Sequence, residues 1–322
     1  MLMKDRVRAI APATVANIGP GFDVLGLALD GPYDQVEAER TEDGLVTLVD
    51  ITGDDGALPR SAQDNCVGAA AQAVLTTFGG PGAGVRLWLH KGLPPGSGLG
   101  SSAASSVAAA VATAAVICPE VAAPGLLDAT REGERLATGS PHPDNVAPSL
   151  LGGLVACVVR EQGRVEALSL PVAEGLVIVT ASPEMQIPTE ESRAVMPDRY
   201  GLEDVVANMS RVAGLVSGFA SGDLDRIGSC LQDRLATPYR KELIPGFESV
   251  MQAAMEAGAV GGGISGAGPT LFAVTDARRK GAAVGAAMVE AFAAVGLPSV
   301  ARVSPIDARG ARLVGPDWTP GD

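Results

Sequence analysis

The stretch PPGSGLGSSAA, Pro94 to Ala104, stands between a strand-like run, VRLWLH, and an alanine-rich run, AASSVAAAVATAAV. It carries no charge and places the most mobile backbone of the chain at a strand-to-helix junction. Such a segment is either a plain linker or a loop that folds tightly around something. Gly96, Gly98 and Gly100 let the backbone bend close to a ligand. The helix that begins at Ser101 and Ser102 leaves its first N–H groups unpaired, with a dipole that favours an anion. A Walker A loop is excluded, because Ser101 stands where its lysine belongs. GLGSSA does satisfy G-x-G-x-x-A, but KGLPPGS separates the strand from the glycines, and no strand with an acidic end follows the helix. What remains is a lysine-free phosphate cradle, weighed against an ordinary loop with a serine N-cap.

The 322 residues are enough for one large core or two packed domains. Apolar residues make up 47% and aromatics only 3%, so alanine, glycine and valine do the packing, helix against sheet. A net charge of −13 removes any general attraction to nucleic acid or an anionic membrane. The charge of a phosphorylated ligand has to be met locally, by a metal ion, a few arginines or backbone amides. Cys66, Cys118, Cys157 and Cys230 are scattered and form no CxxC, which fits free thiols in a reducing compartment. Neither a signal-peptide core nor an apolar span is visible, and the expected location is cytoplasmic.

Strands are expected at Val7–Ala11, Gln35–Glu39, Leu45–Ile51, Val85–His90, in GGLVACVV, LVIVTAS and TLFAVT, and around Val300–Val303. Helices are expected at Asn65–Phe78, Ser101–Val116, Gly125–Ala137, Glu203–Phe219, Asp223–Leu235, Phe247–Ala257 and Arg279–Ala294. Strands and helices mix without strict alternation. The expected class is therefore α+β, with helices layered on one face of largely antiparallel sheets. The polar segment REQGRVEA suggests a division into residues 1–165 and 166–322.

Several charged residues need partners. Leu127, Thr130, Glu134 and Ala137 form one helical stripe, and a carboxylate on such a stripe is costly unless a cation meets it. That cation is either Mg²⁺ or the guanidinium of Arg131 or Arg135. In SPHPDN, either Asp144 or Asn145 caps a helix, or Asp144 meets a substrate ammonium. Thr189 and Arg193 share one face of a helix starting after Pro188. Arg193 and Arg240 are either surface cations or the bidentate partners of a carboxylate. Asn17 and Asp23 belong to the loop ANIGPGFD, as turn residue and cap or as site residues.

A second glycine-rich stretch, GISGAGPT, Gly263 to Thr270, precedes a strand. By itself it reads as a tight turn. P-x-G-S-G-L-G-S-S-A-A followed by G-I-S-G-A-G-P-T, with APATVANIGPGFDVLGLAL ahead of both, resembles the GHMP family of small-molecule kinases over nearly the whole chain. Within that family, NIGPGFDVLG, SPHPDNVAPSLLGG and TPYRKELIPGF look like the homoserine kinase branch.

The resemblance implies a two-layer fold, with an N-terminal half like domain 2 of ribosomal protein S5 and a ferredoxin-like C-terminal half. The activity it implies is transfer of the ATP γ-phosphoryl group to L-homoserine, on the way to threonine, by an enzyme that forms a homodimer. Pro94, Pro95, Gly96, Ser97, Gly98, Leu99, Gly100, Ser101, Ser102, Ala103 and Ala104 would hold the nucleotide, with Asn65 near its base. Ser102 and Glu134 would hold Mg²⁺, because Glu134 lies eight residues before His142 of the H-x-D-N segment, as in that branch. Asn17, Asp23, Thr189 and Arg193 would serve the reaction, and Asn17, Asp144, Asn145, Arg193, Arg240 and Gly266 the substrate. The competing functions are a mevalonate- or sugar-type kinase of the same family and a non-catalytic nucleotide-binding module.

Overall fold

In the computed structural model, which describes residues 6–276, 281–315 and 317–319, the alanine run becomes the central helix of a layered fold. In chain order the elements are β1 (Arg6–Ala16), β2 (Leu25–Thr41), β3 (Val46–Thr52), α1 (Cys66–Phe78), β4 (Gly84–His90), α2 (Ser101–Ile117), α3 (Leu127–Thr138), α4 (Pro143–Leu151) and β5 (Leu154–Val159). Then follow β6 (Val165–Leu170), β7 (Leu176–Pro183), α5 (Thr189–Ala194), α6 (Leu202–Ser221), α7 (Leu224–Cys230), α8 (Thr237–Arg240) and α9 (Phe247–Glu256). The chain closes with β8 (Gly261–Ile264), β9 (Leu271–Asp276), α10 (Gly281–Ala294), β10 (Ser299–Pro305) and β11 (Arg312–Val314). No described helix is long and apolar enough to cross a membrane.

The first sheet runs in the order β11-β1-β2-β4-β3, with β5 added to β2 and β6 to β5. All its pairs are antiparallel except β3 with β4. Thirteen of the 17 residues of α2 are buried, as expected of a helix that is apolar all round and enclosed by neighbours. It lies on β1 and β2 and is flanked by α1, α3 and α4. Alanine and serine side chains keep those approaches close.

The second sheet, β10-β7-β9-β8, is antiparallel throughout. Its central strands are buried on both faces. Ile178, Phe272 and Val274 point into the core shared with the first sheet and with Leu215, Phe219 and Ile227 of α6 and α7. Val179, Ala181, Leu271 and Ala273 point into a second core with α9 and α10. Two-sided burial explains why LVIVTA and LFAV are continuous apolar runs rather than alternating ones. The expected layered α+β fold is the one observed.

Three parts of the organisation differ from expectation. The strand expected at Gln35–Glu39 is the end of the 17-residue β2, which begins at Leu25 and changes register against β1 between Pro12 and Thr14. The last three residues of REQGRVEA open β6, hydrogen-bonded to β5 in the first sheet, and β11 returns from the C-terminal end to pair with β1. A division at 165/166 therefore falls within a β-hairpin. The helix expected at Asp223–Leu235 ends at Cys230, because residues 231–236 turn back across the α6 face instead. Of the last expected helix, residues 279 and 280 lie outside the described residues.

SPHPDN is not a free-standing turn but the start of α4. Pro143 occupies the first helical position, where its missing N–H is harmless. Pro148 lies inside the helix and offers no N–H to the carbonyl of Asp144. That carbonyl sits against Gly26 of β2, 1.8 Å from where a Cβ would be. The absent side chain at Gly26 thus sets how closely α4, with Asp144 and Asn145, lies on the sheet. Gly26→Ala should destabilise the protein by about 1–3 kcal/mol through forced displacement of α4. Gly80→Ala, with nothing within 4 Å of its Cβ, should stay within about 0.5 kcal/mol of the unsubstituted chain. Urea denaturation of the two variants side by side tests the difference.

Candidate active site

Between β4 and α2 the chain takes three left-handed residues at alternate positions, Gly96 (φ 69°), Gly98 (φ 80°) and Gly100 (φ 69°). A Cβ on Gly98 would lie 2.6 Å from the carbonyl oxygen of Gly268 and 2.8 Å from that of Ser265. The second glycine-rich loop therefore presses directly on the first. Ser265 Oγ donates to the Gly98 carbonyl (2.7 Å), and Thr270 Oγ1 donates to the Ser97 carbonyl (2.6 Å). With two of its carbonyls tied down behind it, the first loop forms one wall of a cleft of about 470 Å³.

At the foot of that wall α2 begins. Gly100 is its N-cap and supplies no side-chain bond. The first helical hydrogen bond runs from Ala104 N–H to the Gly100 carbonyl, and the amides of Ser101, Ser102 and Ala103 have no acceptor among the described residues. Lys91 enters from the end of β4, its Nζ donating to Ser101 Oγ (2.7 Å), Ser101 carbonyl (3.1 Å) and Ser105 Oγ (3.0 Å). Its counter-ion is Asp34 of β2, fully buried, which also accepts from Ser105 Oγ (2.6 Å) and from the amides of Gly92 and Leu93 (2.9 and 3.0 Å). Every donor and acceptor of the pair is engaged, as a buried ion pair requires. It pins strand, loop and helix at one point.

Glu134 of α3 reaches the same helix start. One carboxylate oxygen accepts from Ser102 Oγ at 2.7 Å, and no cation pairs with it among the described residues. Arg131 bonds Asp128, and Arg135 bonds Glu132. The helix-edge salt bridge is thereby excluded. Glu134 is 5% exposed, and desolvation pushes its carboxyl up to about 7, against a smaller lowering by the Ser102 hydroxyl. A buried carboxylate beside a hydroxyl, with room for further oxygen ligands, is the donor set a Mg²⁺ ion takes.

The loop from Asn17 to Asp23 supplies another wall. Asn17, Ile18 and Asp23 all have positive φ, 69°, 43° and 56°, a conformation that non-glycine residues adopt only when their surroundings enforce it. The enforcement is visible. Asn17 Nδ2 donates to the Gly266 carbonyl (2.9 Å), and its Oδ1 accepts from the Asp23 amide (3.0 Å). Arg193 of α5 donates to both oxygens of Asp23 at 3.0–3.2 Å. Arg240 of α8 is 3% exposed, donating to the carbonyls of Ser192 and Gly266, both at 3.0 Å. Both guanidinium groups lie over Phe22, at 5.4 and 5.0 Å. Asp144 of α4 is 4% exposed, and burial, with help from the Asp23 and Glu134 charges, raises it to about 7. His142, at the N-cap position of α4 without a side-chain bond to the helix, has Nδ1 3.9 Å from Asp23, and burial lowers its pKa.

Asn17, Asp23, Asn65, Pro95, Gly96, Ser97, Gly98, Gly100, Ser101, Ser102, Glu134, Asp144, Asn145, Thr189, Arg193, Arg240 and Gly266 all line this one cleft. Pro94, Leu99, Ala103 and Ala104 do not. Leu99, Ala103 and Ala104 are core residues, because alternation of the loop and the helix turns their side chains away. The amide of Ala104 is spent on the first helical bond. Asn65 is the N-cap of α1, accepting from Val67 N–H (3.0 Å) and donating to the Pro59 carbonyl (2.8 Å), so its amide is committed to the backbone. Lys91 and Asp34 were not singled out as site residues. A lysine at the end of a strand reads as a surface cation, and nothing local marks Asp34 as its partner 57 residues away.

Comparisons with known proteins agree with this geometry. Residues 65–153 match the GHMP kinases N terminal domain, and residues 215–294 the GHMP kinases C terminal domain. Homoserine kinase of Arabidopsis thaliana is 44% identical over 313 residues, which span 96% of this chain and 84% of that protein. Homoserine kinase of Pyrococcus abyssi (strain GE5 / Orsay) is 39% identical over 92% of this chain and 95% of its own. A crystal structure of homoserine kinase from Cytophaga hutchinsonii superposes with a TM-score of 0.92 at 40% identity, covering 98% of this chain and 99% of that one.

The raised carboxyls have a consequence for stability. Glu134 and Asp144 hold protons in the folded state up to about pH 7, whereas unfolded carboxyls release them near pH 4. Between those values the folded state binds more protons, so this contribution to stability falls as pH rises through the window and stays low above it. Glu134→Gln removes one such group. It should stabilise the ligand-free protein by on the order of 2–3 kcal/mol at pH 8 and by much less at pH 5. Denaturation curves of both proteins at the two pH values check this; an equal effect at both would contradict it.

Proposed function

The chain belongs to the GHMP kinase family, its reaction is that of the homoserine kinases, and from that premise we propose how the cleft divides the work. The reaction moves the γ-phosphoryl group of ATP to the hydroxyl of L-homoserine, giving O-phospho-L-homoserine and ADP. The observation that carries the division of labour is the company kept in one cleft: helix amides without an acceptor and a carboxylate without a cation among the described residues, beside arginines and further acids. The amides suit a polyphosphate, and the mixed charges suit a zwitterion.

In this reading the amides of Ser101 and Ser102 and the glycine-rich backbone that precedes them receive the phosphates. Ser102 Oγ and Glu134 would hold Mg²⁺, which when bound neutralises phosphate charge. The apolar residues Leu58, Pro59 and Leu136 lie in the same cleft near Asn65 and form a seat for the base. Asn65 supports that seat through the backbone of Pro59 rather than by reaching the base itself.

At the acceptor, Arg240 and Arg193 take the α-carboxylate and Asp144 the α-ammonium. Asp144 is suited to this because its buried carboxyl gains most from a cation that arrives with the substrate. Asn17, Asp23 and Thr189 surround the hydroxyl. As its oxygen bonds the γ-phosphorus, the bond from that phosphorus to the β-bridging oxygen breaks, and the hydroxyl proton passes to an oxygen of the transferred phosphoryl group and from there to water. A loose transition state asks mainly for positioning and charge stabilisation. The reaction therefore does not require Asp23, engaged by Arg193, to accept that proton. We assign the product to threonine synthesis in the cytoplasm, with a homodimer as the working form.

ADP release should be measured with homoserine, serine, threonine, mevalonate and a sugar as acceptors. Release should be fastest with homoserine. Asp144→Asn should raise KM for homoserine at least tenfold, about 1.5 kcal/mol for a charge-assisted bond, and leave KM for ATP nearly unchanged. Turnover confined to mevalonate or a sugar, which carry no ammonium, would overturn the substrate. Tight ATP binding without turnover of any alcohol would mark a binding module instead.

A further inference from the structure

Three stretches far apart in sequence meet at one fully buried hydroxyl. Thr14 of β1 donates from Oγ1 to Oδ1 of Asn145 on α4, at 2.7 Å. Its backbone amide donates to the Leu99 carbonyl at 3.0 Å, so the same residue also ties the phosphate loop to the sheet. Gly100, the N-cap of α2, stands directly over the pair. A Cβ there would lie 2.2 Å from Thr14 Oγ1 and 2.8 Å from Asn145 Oδ1. The position is built around this contact.

A threonine hydroxyl has one proton, and among the described residues Asn145 Oδ1 is its only acceptor. That favours one orientation of the Asn145 amide: turned the other way, Nδ2 would donate to Thr14 Oγ1 and leave the buried hydroxyl proton without an acceptor among the described residues. With Oδ1 occupied, the free end of the amide is its NH₂. Nδ2 has no partner among the described residues, and Asn145 lines the cleft beside Gly100 and Ser101.

We propose that Thr14 is a positioning residue that locks the Asn145 amide with its NH₂ turned into the cleft, as a donor toward phosphoryl oxygens. This rests on the phosphoryl-transfer reading above. Oδ1 in that place would repel the same oxygens. Valine matches threonine in shape but lacks the hydroxyl, and would leave the amide free to turn. Neither Thr14 nor its methyl group lines the cleft, so its influence on the reaction runs through Asn145.

The test is a double-mutant cycle on the full chain, with steady-state kinetics for both substrates and Tm for each variant. Thr14→Val should lower kcat about tenfold and leave KM for ATP and for the acceptor within twofold, since the donor is needed as charge moves. Thr14→Ser, which keeps the hydroxyl, should restore kcat to within twofold. In an Asn145→Ala background, Thr14→Val should cost nothing further. Undiminished kcat in Thr14→Val, the same tenfold loss in both backgrounds, or a Thr14→Ser as impaired as Thr14→Val would each overturn the proposal. Independently of activity, so would a neutron structure of Thr14→Val in which the deuterated NH₂ of Asn145 still faces the cleft alone, as in the unsubstituted protein. Should the unsubstituted enzyme turn over another alcohol than homoserine, the substrate reading fails, and the cycle is run with that alcohol.

Discussion

Three amides at the start of α2 have no acceptor among the described residues, and the rest of the site is arranged around them. An unpaired N–H costs free energy unless water or a ligand meets it, so the helix start must open onto a cleft. Holding it open while the helix itself is enclosed takes two devices. The buried pair of Lys91 and Asp34 fixes the junction from below, and Ser265 and Thr270 fix the glycine loop from behind. Only then does a loop with left-handed residues at 96, 98 and 100 keep one shape, where glycine alone would leave it mobile.

An acidic chain that handles an anionic nucleotide cannot rely on its overall field. The solution is local. Amides carry partial positive charge without adding a side chain, and the one lysine at the phosphate end is neutralised by Asp34. The cleft then holds at Glu134 a carboxylate that no cation among the described residues pairs with, a buried carboxyl at Asp144, and a guanidinium pair over Phe22. Each is costly in the empty protein, and each is relieved by a ligand group of opposite sign. The strain of Ile18 at φ 43° belongs to the same pattern, held by the bonds of Asn17 to both sides.

Much of this was legible in the residues themselves. The glycine spacing and the alanine run identified a tight strand-to-helix turn. Placing Glu134 on an apolar stripe singled out a carboxylate in need of a cation, and the partners of Arg131 and Arg135 leave it without one. Continuous apolar runs marked β7 and β9, although not that both faces of their sheet are buried. What stayed hidden depended on contacts between distant segments. The first half of β2 contains Gly31 and Pro32, which break the strand pattern along the chain, and only the pairing of β1 with residues on either side of them makes one long strand. β6 alternates polar and apolar residues so evenly that REQGRVEA looked like a boundary. α4 carries two prolines, and its existence rests on Gly26 lying beneath the carbonyl that Pro148 cannot bond. Asn65 was legible as a helix opening, but its bond to the Pro59 carbonyl was not.

Thr14 shows why such residues escape a reading along the chain. A buried threonine in a strand has the β propensity and the size of valine, and the neighbouring Val15 serves the core in just that way. The two differ by one proton donor, which matters only where an acceptor from another element arrives within reach. That acceptor is Asn145, 131 positions away, on a helix whose height above the sheet is set by Gly26 and whose approach to the loop is permitted by Gly100. Two missing side chains thus decide whether one hydroxyl is core packing or part of the site. The small-residue composition works the same way throughout. It lets backbone and polar groups from β1, α2, α4 and the two glycine loops converge within hydrogen-bonding distance, where larger side chains would hold them apart.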